Sequence, residues 1–380
     1  MNIIVLGAGL VGTSMAIDLA KDSNFSVTVI DINKQRLDKI PDELRIRKIL
    51  LDVTSEKCRE EIKNYDIILS ALPGFMGFKV LKMIIEEGKN VVDISFFPEN
   101  PFELDKLAKN KNVTAVVDCG VAPGMSNMFV GYVNSQLDSL ENVLIYVGGL
   151  PIVREYPFEY KAVFSPIDVI EEYTRPAYHI ENNKRVIRPA LSEREYLTFP
   201  EIGTLEAFNT DGLRTLAVTL KAANMKEKTL RYPGHAEKML MLRESGFFSD
   251  KPIEFDGVKI KPIDFTIRML LPLLELKPED RDFTVMRVIV EGWRAQKKYR
   301  YTYNLLDYYD EKTNTHSMAR TTGYTATMVI RLLARGLFDE KGICPPEFIG
   351  QKKKCLDFVL HGLKERGVSY REEIETLNEI

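Results

Sequence analysis

Three glycines within the first twelve residues are spaced for one chemical task. In Gly7-Ala8-Gly9-Leu10-Val11-Gly12, Gly7 permits a tight turn, Gly9 lets a pyrophosphate reach bare backbone, and Gly12 lets a helix lie close to the preceding strand. The pyrophosphate then sits on the helix N-terminus, at Leu10 and Val11, where unsatisfied amides favour negative charge. Asp31 follows nineteen residues after Gly12, the expected place for a carboxylate that holds the adenosine ribose hydroxyls. That charge repels a 2′-phosphate, so NAD is expected over NADP, with Lys34 and Arg36 as the groups that would meet a phosphate if their loop turned inward. Elsewhere, Asp93, Asp118, Arg231 and His235 have side chains suited to proton transfer or anion binding.

These residues need a framework of alternating strands and helices. Met1 to Leu6 reads as a buried strand, Thr13 to Lys21 as a helix, and Ser26 to Ile30 as the second strand. Further strands are predicted at Ile46–Val53, Asp66–Leu72, Val91–Ser95 and Val113–Cys119, with helices between them. Thr54 and Ser55 are candidate helix caps, Gly88 stops the helix Phe78–Glu87, and Asn100-Pro101 opens the next. The pattern predicts a doubly wound parallel sheet, a Rossmann domain in an α/β protein. Ligands of such sheets lie at the C-terminal ends of the strands. Asp52 and Val53 would then approach the adenine, Ala71, Leu72 and Pro73 the nicotinamide ribose, and Asp93 and Asp118 the reacting end.

Beyond Gly120 the character changes. Strand-like stretches at Asn142–Gly148, Asp282–Arg294 and Tyr299–Tyr309 alternate with helical ones at Pro166–Tyr173, His235–Ser245 and Ile263–Leu274, which predicts an α+β second domain. Phe283 to Glu291 alternates as a strand with one covered face, and Gln296-Lys297-Lys298 reads as a hairpin connection. A last helix runs from Arg320 to Gly336.

Composition excludes several classes. The 380 residues contain 52 Lys plus Arg against 55 Asp plus Glu, a formal net charge of -3, so bulk attraction to nucleic acid or anionic membrane is not expected. No apolar run reaches the roughly 20 residues needed to cross a bilayer, and a cytoplasmic protein is expected. Cys58, Cys119, Cys344 and Cys355 are scattered, and there are four histidines, so no metal is expected.

Four further segments carry a family resemblance. Asp118-Cys-Gly-Val-Ala-Pro-Gly-Met-Ser-Asn127, Gly148-Gly-Leu-Pro151, Thr229-Leu-Arg-Tyr-Pro-Gly-His235 and Ala319-Arg-Thr-Thr-Gly-Tyr-Thr-Ala326 occur in the order found in the saccharopine reductase superfamily. The chain resembles that superfamily from residue 1 to about 350, and within it the lysine 6-dehydrogenases most. The resemblance implies an NAD-binding Rossmann domain over 1–123 and about 318–350, a mixed-sheet domain for substrate binding and dimerisation over 124–317, and a C-terminal helical segment over 351–380. It also implies oxidation of the lysine ε-amine by nicotinamide, with relatives acting instead on secondary amines such as saccharopine or carboxynorspermidine. A nucleotide-binding protein without chemistry is the alternative of a different class.

Amine oxidation requires a free nitrogen lone pair, whereas a lysine ammonium has a pKa of about 10.4. A dry pocket lowers it, and a carboxylate or imidazole takes the proton. Asp118, His235 and Asp93 are the candidates for that role. Arg231 is placed to hold the substrate carboxylate bidentately, and the amides of Gly124 and Met125, opening a helix, to meet nicotinamide or substrate. Thr322 belongs to a signature expected at the interdomain cleft, and Glu206 and Asp211 are substrate contacts by analogy alone. For each there is a structural alternative: Arg231 in an ion pair, His235 as a helix cap, and the aspartates as caps of their own turns.

Overall fold

The computed structural model describes residues 1–162 and 166–377. In chain order these form β1 (Asn2–Leu6), α1 (Leu10–Ala20), β2 (Ser26–Asp31), α2 (Lys34–Asp38), β3 (Arg47–Leu50), α3 (Glu56–Ile62), β4 (Ile67–Ser70), α4 (Gly74–Glu86), β5 (Asn90–Asp93), α5 (Asp105–Asn110), β6 (Thr114–Val116) and α6 (Met125–Gln136). Next come β7 (Ser139–Pro151), α7 (Pro166–Thr174), β8 (Ala177–Glu181), β9 (Lys184–Arg188), β10 (Glu195–Phe199), β11 (Gly203–Asn209), α8 (Leu216–Thr219), β12 (Ala222–Arg231) and α9 (His235–Glu244). The chain finishes with β13 (Ile253–Phe255), β14 (Val258–Ile260), α10 (Pro262–Leu274), β15 (Asp282–Arg294), β16 (Lys297–Tyr308), α11 (Ser317–Ala334), β17 (Gly342–Cys344), α12 (Pro346–Gly350), α13 (Lys353–Glu365) and β18 (Tyr370–Leu377). It divides into two compact units, Met1–Gln136 with Ala319–Ser369, and Leu137–Met318 with Tyr370–Ile380.

The first unit is a parallel sheet in the order β17-β6-β5-β4-β1-β2-β3. Ile3, Ile4, Val5 and Leu6 are all fully buried, because helices cover both faces and every position of a central parallel strand must be apolar. On α4, Val80, Leu81, Ile84 and Ile85 form the stripe that packs onto the sheet, each contributing roughly 1.5–3 kcal/mol of burial. Strand order reverses between β1 and β4, so the crevice for a ligand opens where those two strands end.

The second unit is built on a nine-stranded mixed sheet in the order β10-β11-β12-β7-β15-β16-β18, with β8 paired to β12 and β9. β7 is its centre, parallel to β12 and antiparallel to β15. No described helix is long and apolar enough to cross a membrane.

Several expectations need correction. The β15–β16 connection is the two residues Ala295-Gln296, both at positive φ (48° and 66°), while Lys297 and Lys298 already pair with Arg294 and Trp293. Two left-handed residues give the turn whose twist matches the strands. β15 is covered on both faces from Phe283 to Met286, since Ser317 and Met318 at the start of α11 lie on Thr284 and Gly149. Val285, Val288 and Val290 are all buried within the chain.

The first sheet has a seventh strand, β17, which its three residues Gly342-Ile343-Cys344 gave too little pattern to reveal. Residues 124–136 belong to the first unit, and α13 is followed not by more helix but by β18, which pairs with β16 from Tyr370↔Leu305 to Leu377↔Lys298. The last three residues of the segment expected to be helical, 378–380, lie outside the described residues.

Candidate nucleotide cradle and active-site residues

The three glycines of the first turn have three different surroundings. Gly7 has φ +102°, and a Cβ there would stand 2.5 Å from Ala71 O; a Cβ on Gly12 would run into Gly7 O. Gly9 is extended, and a Cβ on it would meet nothing within 4 Å. The chain's own packing thus requires Gly7 and Gly12 but not Gly9, whose bare backbone faces open space at an α1 N-terminus with no side-chain cap. Leu10 is exposed and Val11 half-buried beside it. This geometry fits a pyrophosphate.

Asp31 clamps the turn. It is 5% exposed, its Oδ2 accepts from Ala8 N at 2.7 Å and its Oδ1 from Asn33 N at 2.7 Å, with an Arg36 guanidinium nitrogen 3.9 Å from Oδ2. Two carboxylate oxygens offer about four acceptor sites, so two bonds leave capacity for a ribose hydroxyl. Ala71, Leu72 and Pro73 pass from β4 into α4 against Gly7, as the parallel sheet requires. Asp52 accepts from Thr54 N and Thr54 Oγ1, bonds that hold its carboxyl below the ordinary value. The Val53 side chain is in the core. Ser55, not Thr54, caps α3, its Oγ accepting from Cys58 N.

At the ends of β4 and β5, Ser70 and Asp93 are register partners. Asp93 is fully buried; its Oδ1 accepts from Ser95 N at 2.8 Å, and its Oδ2 has no hydrogen-bond partner among the described residues, nor have Ser70 Oγ and Ser95 Oγ. Burial pushes the Asp93 carboxyl up to about 7; the Ser95 and Ser70 dipoles partly oppose this and the Asp118 charge adds to it. Asp118 is 2% exposed and holds φ +52°, a left-handed conformation that Asp tolerates better than most residues. The next residue, Cys119, donates its amide to Asp93 O, which ties the two strand ends together.

Gly124 and Met125 do not offer free amides. Gly124 N donates to Asn127 Oδ1, Met125 N to Gly120 O and Ser126 N to Val121 O. The loop folds back on itself to satisfy the start of α6 internally, and at Gly124, φ +137°, any Cβ would run into Gly120. Thr322 is half-buried with its methyl against Gly120, and Gly323 lets α11 lie on Val11 and Met15 of α1.

Arg231 and His235 lie in the other unit. Arg231 ends β12, 3% exposed, with Nη2 on Glu172 Oε2 at 2.7 Å, Nη1 on Leu230 O at 2.9 Å, and its guanidinium 4.0 Å over the Tyr160 ring. It is engaged in an internal ion pair, which does not fit the expected bidentate hold on a substrate. His235 follows Gly234, whose φ of 88° makes the turn into α9. Its Nδ1 donates to Phe158 O at 2.8 Å, so its Nε2 accepts from the Tyr173 hydroxyl at 2.9 Å. Burial, helped by the Arg231 charge, pulls its pKa down to about 3. A ring that stays neutral across physiological pH does not serve as a proton carrier there.

Glu206, expected near substrate, instead accepts from Gly234 N and Ala236 N at the start of α9. Asp211 is half-buried, and its charge helps burial and Glu172 push Glu227 up to about 8.

Ser70 and Ser95 around Asp93, and Tyr160, Glu172 and Tyr173 around Arg231, went unread in the sequence. For Glu172 a signal existed: Val169, Ile170 and Tyr173 form the buried stripe of α7, and a carboxylate bordering such a stripe needs a cation. The serines carry no comparable pattern.

Comparison with known proteins agrees with this architecture. The Saccharopine dehydrogenase NADP binding domain family matches residues 3–116, and the Saccharopine dehydrogenase C-terminal domain family matches residues 120–368. Saccharopine dehydrogenase [NADP(+), L-glutamate-forming] of Pyricularia oryzae is 26% identical over 268 residues, 67% of this chain and 59% of that protein. Mitochondrial alpha-aminoadipic semialdehyde synthase of Mus musculus is 24% identical over 254 residues, 63% of this chain and 27% of that protein. The chain therefore spans less than two thirds of the length of these relatives. Among solved structures, apo saccharopine dehydrogenase (L-Glu forming) from Saccharomyces cerevisiae superposes with a TM-score of 0.79 at 20% identity, covering 98% of this chain and 99% of that one, a likeness of fold. A parallel sheet carrying a dinucleotide turn, joined to a mixed-sheet unit and matched by both family domains along nearly its whole length, belongs to the saccharopine dehydrogenase family.

Proposed function

We propose that this chain is a pyridine-nucleotide-dependent oxidoreductase acting at the carbon–nitrogen bond of the lysine ε position, and that it deaminates L-lysine oxidatively with NAD+. One observation carries the reading: a single sheet combines the open Gly9 turn with a buried carboxyl, Asp93, whose Oδ2 no described neighbour uses. The nucleotide, when bound, accepts a hydride from the carbon that bears the amine. The balance is R–CH2–NH3+ + NAD+ + H2O giving R–CHO + NADH + NH4+ + H+, with the aldehyde free to cyclise.

Asp93, ionised above about pH 7, is the proposed acceptor of the substrate ammonium's proton, and substrate entry must uncover its buried Oδ2 for the transfer. A base near the working pH suits this transfer. The second carboxylate, Asp118, keeps the environment favourable to the substrate cation before the proton leaves. Asp31 would hold the adenosine ribose, and the Leu10 and Val11 amides would hold the pyrophosphate. His235 and Arg231 act by building the second unit's buried network with Tyr173, Tyr160 and Glu172, not by touching the reaction.

A second reading is favoured by the names of the relatives: the amine is secondary, as in saccharopine, and glutamate leaves in place of ammonia. The two are separated by incubating the protein with NAD+ or NADP+ and either L-lysine or saccharopine, following absorbance at 340 nm and the released ammonia or glutamate. Ammonia from lysine supports the first reading, and glutamate from saccharopine without lysine turnover replaces it by the second. Silence with both, alongside measurable nucleotide binding, leaves a non-catalytic nucleotide-binding protein. The homodimer implied by the family resemblance is proposed with it, and sedimentation at the 43.5 kDa mass of one chain would remove it.

A further inference from the structure

A second polar cluster in the mixed-sheet unit takes no part in the proposed reaction. His179 and Glu181 alternate along β8 and so share a face, and Glu193 reaches them from the segment between β9 and β10. One ring nitrogen and one oxygen from each carboxylate lie within 4.8 Å of one another. His179 is fully buried, and neither ring nitrogen has a hydrogen-bond partner among the described residues. Leaving a buried polar atom unused is destabilising, a cost that a ligand on the free lone pair removes.

The carboxylates already hold a cation between them. Lys226 Nζ lies 3.0 Å from Glu193 Oε2 and 3.5 Å from Glu181 Oε1. Arg188 aligns the same pair, with Nε 3.2 Å from Glu181 Oε1 and 3.1 Å from Glu193 Oε1, and Nη2 on Glu181 Oε2. Lys228, whose Nζ donates to Glu193 O, adds positive charge nearby.

We propose that His179, Glu181 and Glu193 bind one divalent transition-metal cation of the zinc class, which displaces the Lys226 ammonium from its place between the carboxylates. One imidazole nitrogen and two carboxylate oxygens, with water in the fourth position, suit Zn2+. Lys226 is 28% exposed and has a route to solvent, while Arg188 remains to orient the carboxylates. The ion would strap the β8–β9 hairpin to the chain entering β10, raising the stability of the folded state by linkage. Four histidines and no paired cysteines in the sequence gave no hint of this, because the ligands meet only when the hairpin folds.

The test is a titration of chelator-stripped full-length protein with Zn2+ against a chromogenic competitor, in the wild type and in His179→Ala, Glu181→Gln and Lys226→Met, all in a His361→Ala background that removes the exposed His361–Glu365 pair. One equivalent in the wild type, at least tenfold weaker binding in His179→Ala and Glu181→Gln, and roughly tenfold tighter binding in Lys226→Met are expected. A wild type that takes up no zinc, His179→Ala and Glu181→Gln variants that bind as the wild type does, or a Lys226→Met variant that binds no more tightly, each overturns the proposal. Glu181→Gln is nearly isosteric and guards against a misfolded His179→Ala.

Discussion

Arg331 Nη1 donates to Asp18 Oδ2 at 2.7 Å across 313 residues of sequence, joining α11 to α1 inside the first unit. Thr327 Oγ1 shares the same oxygen, and Arg366 Nε takes Oδ1 at 2.7 Å. Asp18 is 3% exposed, and removing one partner of a buried pair leaves uncompensated charge that costs about 3–5 kcal/mol. Asp18→Asn should lower the unfolding free energy by that amount in urea, whereas a change under about 0.5 kcal/mol, typical of an indifferent surface site, would show the network to be ornamental. This ionic contact explains how a segment at the far end of the chain returns to the glycine turn.

The glycine turn makes a differential prediction. Gly12→Ala drives a Cβ into Gly7 O, so it should destabilise the first unit by about 1–3 kcal/mol and abolish nucleotide binding with it. Gly9→Ala meets no neighbour and should leave the melting temperature almost unchanged while weakening NADH binding, read by fluorescence titration, at least tenfold. Equal nucleotide binding in Gly9→Ala and wild type would mean the pyrophosphate does not pass over Gly9.

The difference between these glycines also marks how far the sequence could be read. The turn, Asp31 and the parallel strands were legible because each is a local pattern: consecutive apolar residues, a glycine spacing, an acid at a fixed offset. His235 and Arg231 were not, since their roles depend on Tyr173, Glu172 and Phe158, which lie some 60 to 80 positions upstream and meet them only after β12 and α7 pack. The same holds for Gly124 and Met125: a helix start advertises free amides, yet the Gly120–Gly124 fold-back consumes them. β18 was missed because Arg371-Glu372-Glu373 carries no apolar alternation, its place being set by pairing with β16 and by Tyr303 donating to Glu372.

Asp93 and His235 should give pH effects of opposite sign. The Asp93 pKa is raised from 3.8 to about 7 by burial, so the folded state keeps a proton that the unfolded chain has lost. Its contribution to stability is complete below about pH 4 and is lost as pH rises through 7. Asp93→Asn should therefore gain on the wild type between pH 4 and 8, by up to about 4 kcal/mol, when both are unfolded in urea across that range. The same variant should lose at least 100-fold in turnover if Asp93 is the proton acceptor, and wild-type turnover should climb with pH to a plateau above about 7. A constant stability difference across the range would place the carboxyl in water instead.

For His235, the folded pKa is depressed from 6.5 to about 3. Stability drawn from the neutral ring is full above 6.5 and is lost as pH falls toward 3, because the unfolded chain binds the proton first. His235→Gln retains an N–H for Phe158 O and an acceptor for Tyr173. It should flatten this acid limb and leave the shape of the turnover profile between pH 6 and 8 unaltered. A lost inflection in that window would restore His235 as a proton carrier.

The proposed preference for NAD+ rests on Asp31 and its neighbour Arg36. The carboxylate that clamps Ala8 N is also the charge a 2′-phosphate would meet, while Arg36, 57% exposed and 3.9 Å away, is the cation nearest to it. Asp31→Ser removes the repulsion and releases Arg36, so the ratio of kcat/KM for NADP+ over NAD+ should rise at least tenfold. It also leaves the buried Ala8 amide short of an acceptor, at a cost of about 1–3 kcal/mol, so the ratio and not the absolute rate is the quantity to read. If the wild type already prefers NADP+, in line with the description of the family domain that matches residues 3–116, then Asp31 serves the turn alone. In that case Arg36 binds the phosphate while still beside Asp31, and Arg36→Ala, not Asp31→Ser, would shift the preference.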